Sequence, residues 1–260
     1  MLTFNSFQLI TLVSSFFWPM VRILSFLSVA PIFNDKLLNK KYKILLAVII
    51  SFLISPFLPK VQTVLFSDVG LLVLFQQILI GIVLGFTAQL LFVTANLAGE
   101  IIGLQMGLSF ATFVNKNIYI GTSIISRLLN ILMLLLFLVF NIHLYLILIL
   151  IDSFYSIPID NYIVNVSMFF NLLKFSSHMF LNTILLVLPI IIIFLTLSFI
   201  MSILNRISPQ ISIFSIGFPL NLLVGILTLY FSISITLPYF EKILRELMFF
   251  ISQTLLNIHI

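Results

Sequence analysis

Cysteine is absent from the 260 residues, which excludes disulfides and thiolate metal sites at once. Charge is nearly as scarce. Lys and Arg number 12 and Asp and Glu 7, together 7% of the chain, where soluble domains carry about 25%. So few charged side chains cannot coat a water-soluble surface of this length. Asp35, Asp68, Asp152 and Asp160 all fall in polar connections or at the ends of apolar runs, so the facing pair of an intramembrane aspartyl protease is missing. There is no H-E-x-x-H, no G-x-S-x-G elbow and no phosphate-binding glycine loop. The sequence therefore predicts no enzyme, no cofactor, no metal and no nucleic-acid partner. Residues 1–10 carry no basic side chain, and no small-x-small site follows a short apolar core. The first apolar run is expected to stay as an anchor rather than be cleaved as a signal.

Apolar residues make up 62% of the chain, and they come in long continuous runs. A membrane β-barrel would alternate in short segments, so the fold class is an all-α integral membrane protein. With about 20 apolar residues needed to cross a bilayer, six segments are predicted: 7–30, 44–58, 71–98, 124–151, 180–204 and 211–237. The second is short and ends at Ser55-Pro56; the third is expected to run on as helix through Gly107. No soluble domain interrupts them. Lys36, Lys40, Lys41, Lys43, Lys116, Arg127 and Arg206 lie in odd-numbered connections, against Lys60, Lys174, Lys242 and Arg245 in the even ones and the C-terminal tail. The positive-inside bias then puts the odd connections in the cytoplasm and both termini outside. Gly217, Pro219 and Gly225 are expected to interrupt the sixth segment and Pro238 to close it, while Pro189 reads as an ordinary kink.

Gly99, Gly103 and Gly107 stand four residues apart, continued by Ala95 and Ala111. On a helix these five positions share one face, a bare ridge along which another backbone can approach closely. Arg22 and Glu100 are charges inside apolar runs, where a charge faces a partner or water. Glu100 is expected to pair with Arg22, Arg127 or a basic group of another subunit; as a lone acid it could instead serve a proton relay. His143, near Asn141, is expected to be a satisfied structural group, and His178 and His259 to be incidental.

Two polar-rich elements carry a resemblance. Gly99-Glu100-Ile101-Ile102-Gly103-Leu104-Gln105-Met106-Gly107-Leu108-Ser109-Phe110-Ala111 and the pattern Arg206-x-x-Pro209-Gln210-x-x-x-Phe214-x-x-Gly217-Phe218-Pro219-Leu220 resemble signatures of the FliR family of flagellar type III export-gate membrane proteins. Weaker agreements are Arg22 followed by Ala30-Pro31-Ile32-Phe33, and His143 followed by Asp152-Ser153-Phe154 and Pro158. Asn115-Lys116-Asn117 and Asn141-Ile142 depart from the family pattern. The resemblance spans the chain and favours the flagellar branch, with an injectisome gate subunit as the alternative. It implies a single membrane domain in which residues 1–175 form a FliP-like part and 176–260 a FliQ-like hairpin. Arg206, Pro209, Gln210, Phe214, Gly217, Phe218 and Pro219 would make that hairpin's cytoplasm-facing turn.

The resemblance also implies a structural subunit at the flagellar basal body in the bacterial inner membrane. Its partners would be FliP-like and FliQ-like subunits, FlhB-like and FlhA-like components, exported unfolded flagellar proteins and lipid. The segment around 106–121 would supply a plug, with Gln105, Met106, Ser109, Phe110 and Phe113 as candidate pore residues. A rival from another class is a small-solute secondary transporter that couples through Arg22 and Glu100, although the internal repeat common in transporters is not apparent.

Overall fold

The computed structural model describes residues 6–33, 39–58, 68–108, 123–159, 166–208 and 213–256, with side chains of 13–33, 39–58, 68–108, 123–159, 167–208 and 217–253. Seven α-helices account for nearly all of them. They are α1 (Ser6–Val29), α2 (Lys40–Ile54), α3 (Asp68–Gln105), α4 (Ile124–Val139), α5 (Ile142–Ser156), α6 (Val166–Ile207) and α7 (Ile213–Leu256). No strand occurs among the described residues, so the all-α class read from the continuous apolar runs holds. Three helices, α3, α6 and α7, are long and apolar enough to cross a membrane, or four if α4 and α5 count as one broken span.

Local chemistry explains most boundaries. Ser123 caps α4, its hydroxyl accepting from the Ser126 N–H at 3.1 Å, a standard relief for the unpaired amides of a first turn. α3 ends where Gly107 takes φ 77, a left-handed value that glycine tolerates and other residues resist. The predicted fourth segment is two helices, because Asn141 adopts φ 54 and ψ 28 between them. Asparagine is among the few residues that accept this conformation readily.

The final segment also differs from expectation. α7 starts at Ile213 and continues past both Pro219 and Pro238 to Leu256. Gly217, Phe218 and Pro219 thus lie inside a helix rather than in a turn, and Pro238 does not close it. Pro189 likewise sits inside a continuous α6. Each proline removes one intrahelical hydrogen bond, a loss that the surrounding helical turns absorb.

The chain forms two compact units, one of residues 1–90, 141–176 and 247–260, the other of 91–140 and 177–246. In the first, Trp18, Ile23, Phe26, Val73, Ile80, Leu150 and Phe154 are buried. Here α1 meets α3 at Gly81 and Gly85. A Cβ at Gly81 would lie 2.5 Å from the Arg22 carbonyl oxygen, and one at Gly85 would lie 2.9 Å from that of Phe26. Ser51 of α2 donates to the Phe16 carbonyl at 2.9 Å. In the second unit, Leu91, Ala95, Ala98, Ile102, Met133, Phe137, Val187, Phe194 and Phe240 are buried, and the Phe92 and Phe137 rings meet edge to face at 5.5 Å.

Candidate functional site: buried charges and glycine contacts

Arg22 is fully buried, and its hydrogen bonds run to α3 and the end of α5. Its Nε donates to Gln77 Oε1 at 2.6 Å, one Nη to the Ser153 carbonyl at 2.8 Å and to Ser153 Oγ at 3.1 Å, and the other Nη to the Ile157 carbonyl at 3.0 Å. The guanidinium carbon lies 4.2 Å from the centre of the Phe154 ring, within cation–π range. Ser153 and Ile157 close α5, where carbonyls lack intrahelical partners and the helix dipole is negative. The arginine therefore caps a helix C-terminus.

Glu100 does the converse. Its Oε1 accepts the Ser123 backbone N–H at 2.7 Å, at the N-cap of α4. An anion there meets the positive end of a helix. The expected pairing of Glu100 with Arg22 or Arg127 is not formed among the described residues. The apolar sequence made a counter-ion look necessary, but helix termini supply the compensating field.

Around Glu100 lies a polar seam between α3 and α4. Ser123 Oγ donates to the Gly99 carbonyl at 3.0 Å. Asn96 Oδ1 accepts from Ser126 Oγ and from Asn130 Nδ2, the latter at 2.7 Å. Gly99 permits this approach, since a Cβ there would stand 2.2 Å from Ser126 Cα. Ala95, Gly99 and Gly103 are buried on α3, whereas Gly107 ends that helix rather than extending the ridge. Ala111 lies outside the described residues.

Of the pore candidates, Gln105 is half-buried at the end of α3 and Met106 is 1% exposed. Ser109, Phe110 and Phe113 lie outside the described residues. Met106 packs on α7: a Cβ at Gly225 would lie 2.5 Å from its Cε. Of the predicted turn residues, Arg206 is exposed in the last turn of α6, Gly217 is buried, and Phe218 and Pro219 are exposed. Pro209, Gln210 and the Phe214 side chain lie outside the described residues.

Two histidines differ from expectation. His143 Nδ1 is buried and has no hydrogen-bond partner among the described residues, so the expected satisfaction is not seen there. His178 is not incidental. Its Nε2 lies 3.2 Å from Glu246 Oε2, which also accepts from Asn182 Nδ2 at 3.0 Å, tying α6 to α7. Tyr239 donates to the Asn182 carbonyl at 3.0 Å. No group of three or more histidines and carboxylates is arranged for a metal among the described residues.

Several of these residues escape sequence reasoning. The Gly81-x-x-x-Gly85 spacing was a legible signal, overshadowed by the longer run at Gly99–Gly107. Gln77, Asn96 and Asn130 gave none, because an amide inside an apolar run does not announce its partner.

A fully buried arginine and a part-buried glutamate, each held at a helix end, and close glycine contacts between long apolar helices define a polytopic α-helical membrane protein. Residues 13–247 match the bacterial export proteins, family 1, and the chain belongs to that family. It is 69% identical over 258 residues to the flagellar biosynthetic protein FliR of Buchnera aphidicola subsp. Acyrthosiphon pisum, covering 99% of this chain and 100% of that one. The FliR of Escherichia coli is 44% identical over 247 residues, 95% of each chain. The FliR of Bacillus subtilis is 23% identical over 231 residues, 88% of this chain and 89% of the relative.

Proposed function

We propose that this chain is a structural, non-catalytic subunit of the flagellar type III protein-export gate in the bacterial inner membrane. The observation that carries the reading is the end-to-end match, at 69% identity, to a relative named for flagellar biosynthesis. The flagellar branch is favoured over an injectisome because the relatives in Escherichia coli and Bacillus subtilis also carry the flagellar name. On this reading the chain packs among FliP-like and FliQ-like subunits, contacts FlhB-like and FlhA-like components, and helps enclose a pore for unfolded flagellar proteins. The energy for transport comes from elsewhere, since the chain has no nucleotide-binding motif.

A gate must retain ions yet yield to a polypeptide, and flexible apolar side chains suit a seal that reopens and recloses. Met106, Phe110 and Phe113 are assigned to that seal, with Gln105 and Ser109 beside it. Ala95, Gly99 and Gly103 line a packing ridge toward neighbouring helices. The FliP-like part spans 1–175 and the FliQ-like hairpin 176–260, with both termini periplasmic and Arg206 facing the cytoplasm.

A transporter coupled through Arg22 and Glu100 is disfavoured, because each of these charges is committed to its own helix end. The deciding experiment is co-purification. Produced with FliP-like and FliQ-like proteins, the chain should be recovered in one complex with them, and Gly103→Leu should abolish that recovery. A chain recovered alone, stable and binding a small solute, would overturn the reading. Reporter fusions near Lys40 and Ile260 test orientation: signals from the cytoplasm and the periplasm, respectively, are expected.

A further inference from the structure

Gly225 sits in the interior of α7 without a positive φ, so no turn requires it there. Glycine weakens a helix interior relative to alanine, so its presence calls for another cause. That cause is Met106. A Cβ at position 225 would lie 2.5 Å from Met106 Cε, 2.6 Å from Cγ and 2.9 Å from Sδ. The overlap runs along the side chain rather than touching only its tip, so rotation of the last bond would not relieve it. Met106 is 1% exposed and occupies the turn that ends α3. Its N–H donates to the Ile102 carbonyl at 3.0 Å, and the Gly107 N–H to that of Leu104 at 3.0 Å. Two glycines thus fix the exit of the chain from α3: Gly107 by its left-handed φ of 77, and Gly225 by receiving the preceding side chain.

We propose that Met106 and Gly225 form a latch. With the methionine seated on the glycine, the end of α3 is held on α7 and the gate is closed. Withdrawal of the methionine frees that end and accompanies opening. This assignment rests on the export-gate reading and adds to it the element that switches. Methionine suits the task, because it is unbranched and flexible and carries no strongly polar group that would have to be desolvated each time it reseats. The socket is equally passive, since Thr228 Oγ1 bonds the Gly225 carbonyl at 2.9 Å within α7 and no hydrogen bond breaks when the methionine leaves.

The absence of cysteine makes the test clean. A Met106→Cys, Gly225→Cys double variant would hold only two thiols. With 2.6 Å between the built Cβ and Met106 Cγ, the two Cβ atoms stand at most about 4 Å apart, inside the range for a disulfide. The variant is purified within the assembled gate and placed in vesicles. Oxidation should consume both thiols and lower export by about tenfold or more, the effect of about 1.4 kcal/mol or more against the open state; a reductant should restore it. Gly225→Ala should raise ion leak by unseating the methionine, and Met106→Ala should raise it by removing the methionine; the double variant should leak no more than either, because both changes break the same contact. Each variant should be recovered in the complex at the wild-type level, which misfolding would not allow. Thiols that stay free under oxidant, or a crosslinked gate that exports normally, would overturn the latch while leaving the gate reading intact. A Met106→Ala gate as tight as the wild type, or leaks that add in the double variant, would also overturn it. Failure of the wild-type chain to enter the complex would sink both proposals.

Discussion

Arg22 and Glu100 illustrate how a membrane chain places charge at helix ends. Arg22 makes four hydrogen bonds, three of them to atoms of Ser153 and Ile157 at the end of α5. Hydrogen bonds to a charged group contribute about 1.5–3 kcal/mol each, and stranded buried acceptors cost more than absent ones. Arg22→Gln should therefore destabilise the chain by about 3 kcal/mol or more, a large part of the 5–15 kcal/mol typical of a fold. Arg22→Lys should recover little of this, because a point-like ammonium cannot copy the planar fork. Thermal unfolding in detergent, together with the amount of chain in membranes, measures both; wild-type behaviour of Arg22→Gln would refute the capping role. Glu100→Gln has the opposite expectation. The amide oxygen can still accept the Ser123 N–H, and only the charge at the head of α4 is lost, worth about 0.3–1 kcal/mol. Motility or secretion of flagellar protein should stay close to wild type. Abolished export in Glu100→Gln would refute a role limited to capping α4.

At the level of helices, the positions that matter are those where two backbones nearly touch. Gly81 and Gly85 hold α1 against α3, and added Cβ atoms would meet carbonyl oxygens at 2.5 and 2.9 Å. Gly81→Ala should lower the unfolding temperature more than Gly85→Ala, since its overlap is deeper and involves rigid backbone; a reversed order would show that the seam adjusts differently from its geometry. Asn141→Gly should be neutral or stabilising by up to about 1 kcal/mol, because glycine pays no left-handed penalty, and Asn141→Val should be clearly destabilising. Helix identity was legible in the sequence, since the apolar runs fix α1, α3, α6 and α7 to within a few residues at several of their ends. The break at Asn141 was not, because a single asparagine inside an apolar run carries no periodic signal. Pro219 and Pro238 misled in the other direction: proline marks a missing hydrogen bond, and a long packed helix tolerates the loss. Within the site, the glycine spacing and both charges could be read in advance. Their partners could not, because Ser153 and Ser123 lie 131 and 23 residues away from Arg22 and Glu100, and only the fold brings them close.

The whole chain exposes more apolar length than a bilayer can cover. α6 has 42 residues and α7 has 44, or about 63 and 66 Å at 1.5 Å per residue, against a hydrocarbon thickness of about 30 Å. A tilt of about 40°, the steep end for membrane helices, still leaves well over 10 Å of each outside. In the most apolar stretches of α6 and α7 only 17% and 11% of residues are buried within the chain. Large exposed apolar side chains run along α6 from Phe170 and Leu173 to Ile203 and Ile207. Lys174 lies one turn before His178 on α6, and His178 meets Glu246; a lysine and a carboxylate cannot rest in hydrocarbon without great cost, so Leu173, beside Lys174 on α6, falls outside the lipid. Apolar surface left in water costs about 25 cal/mol per Å², and sister subunits would relieve that cost. In the chain's own cysteine-free background, Leu173→Cys should react with a membrane-impermeant maleimide when the chain is produced alone and be protected within the co-purified complex. Ile192→Cys, ten residues beyond Asn182 in the apolar part of α6, should resist labelling in both. Equal reactivity of Leu173→Cys with and without the partners would mean that no subunit covers this end of the helix, and the excess length would then need another cause.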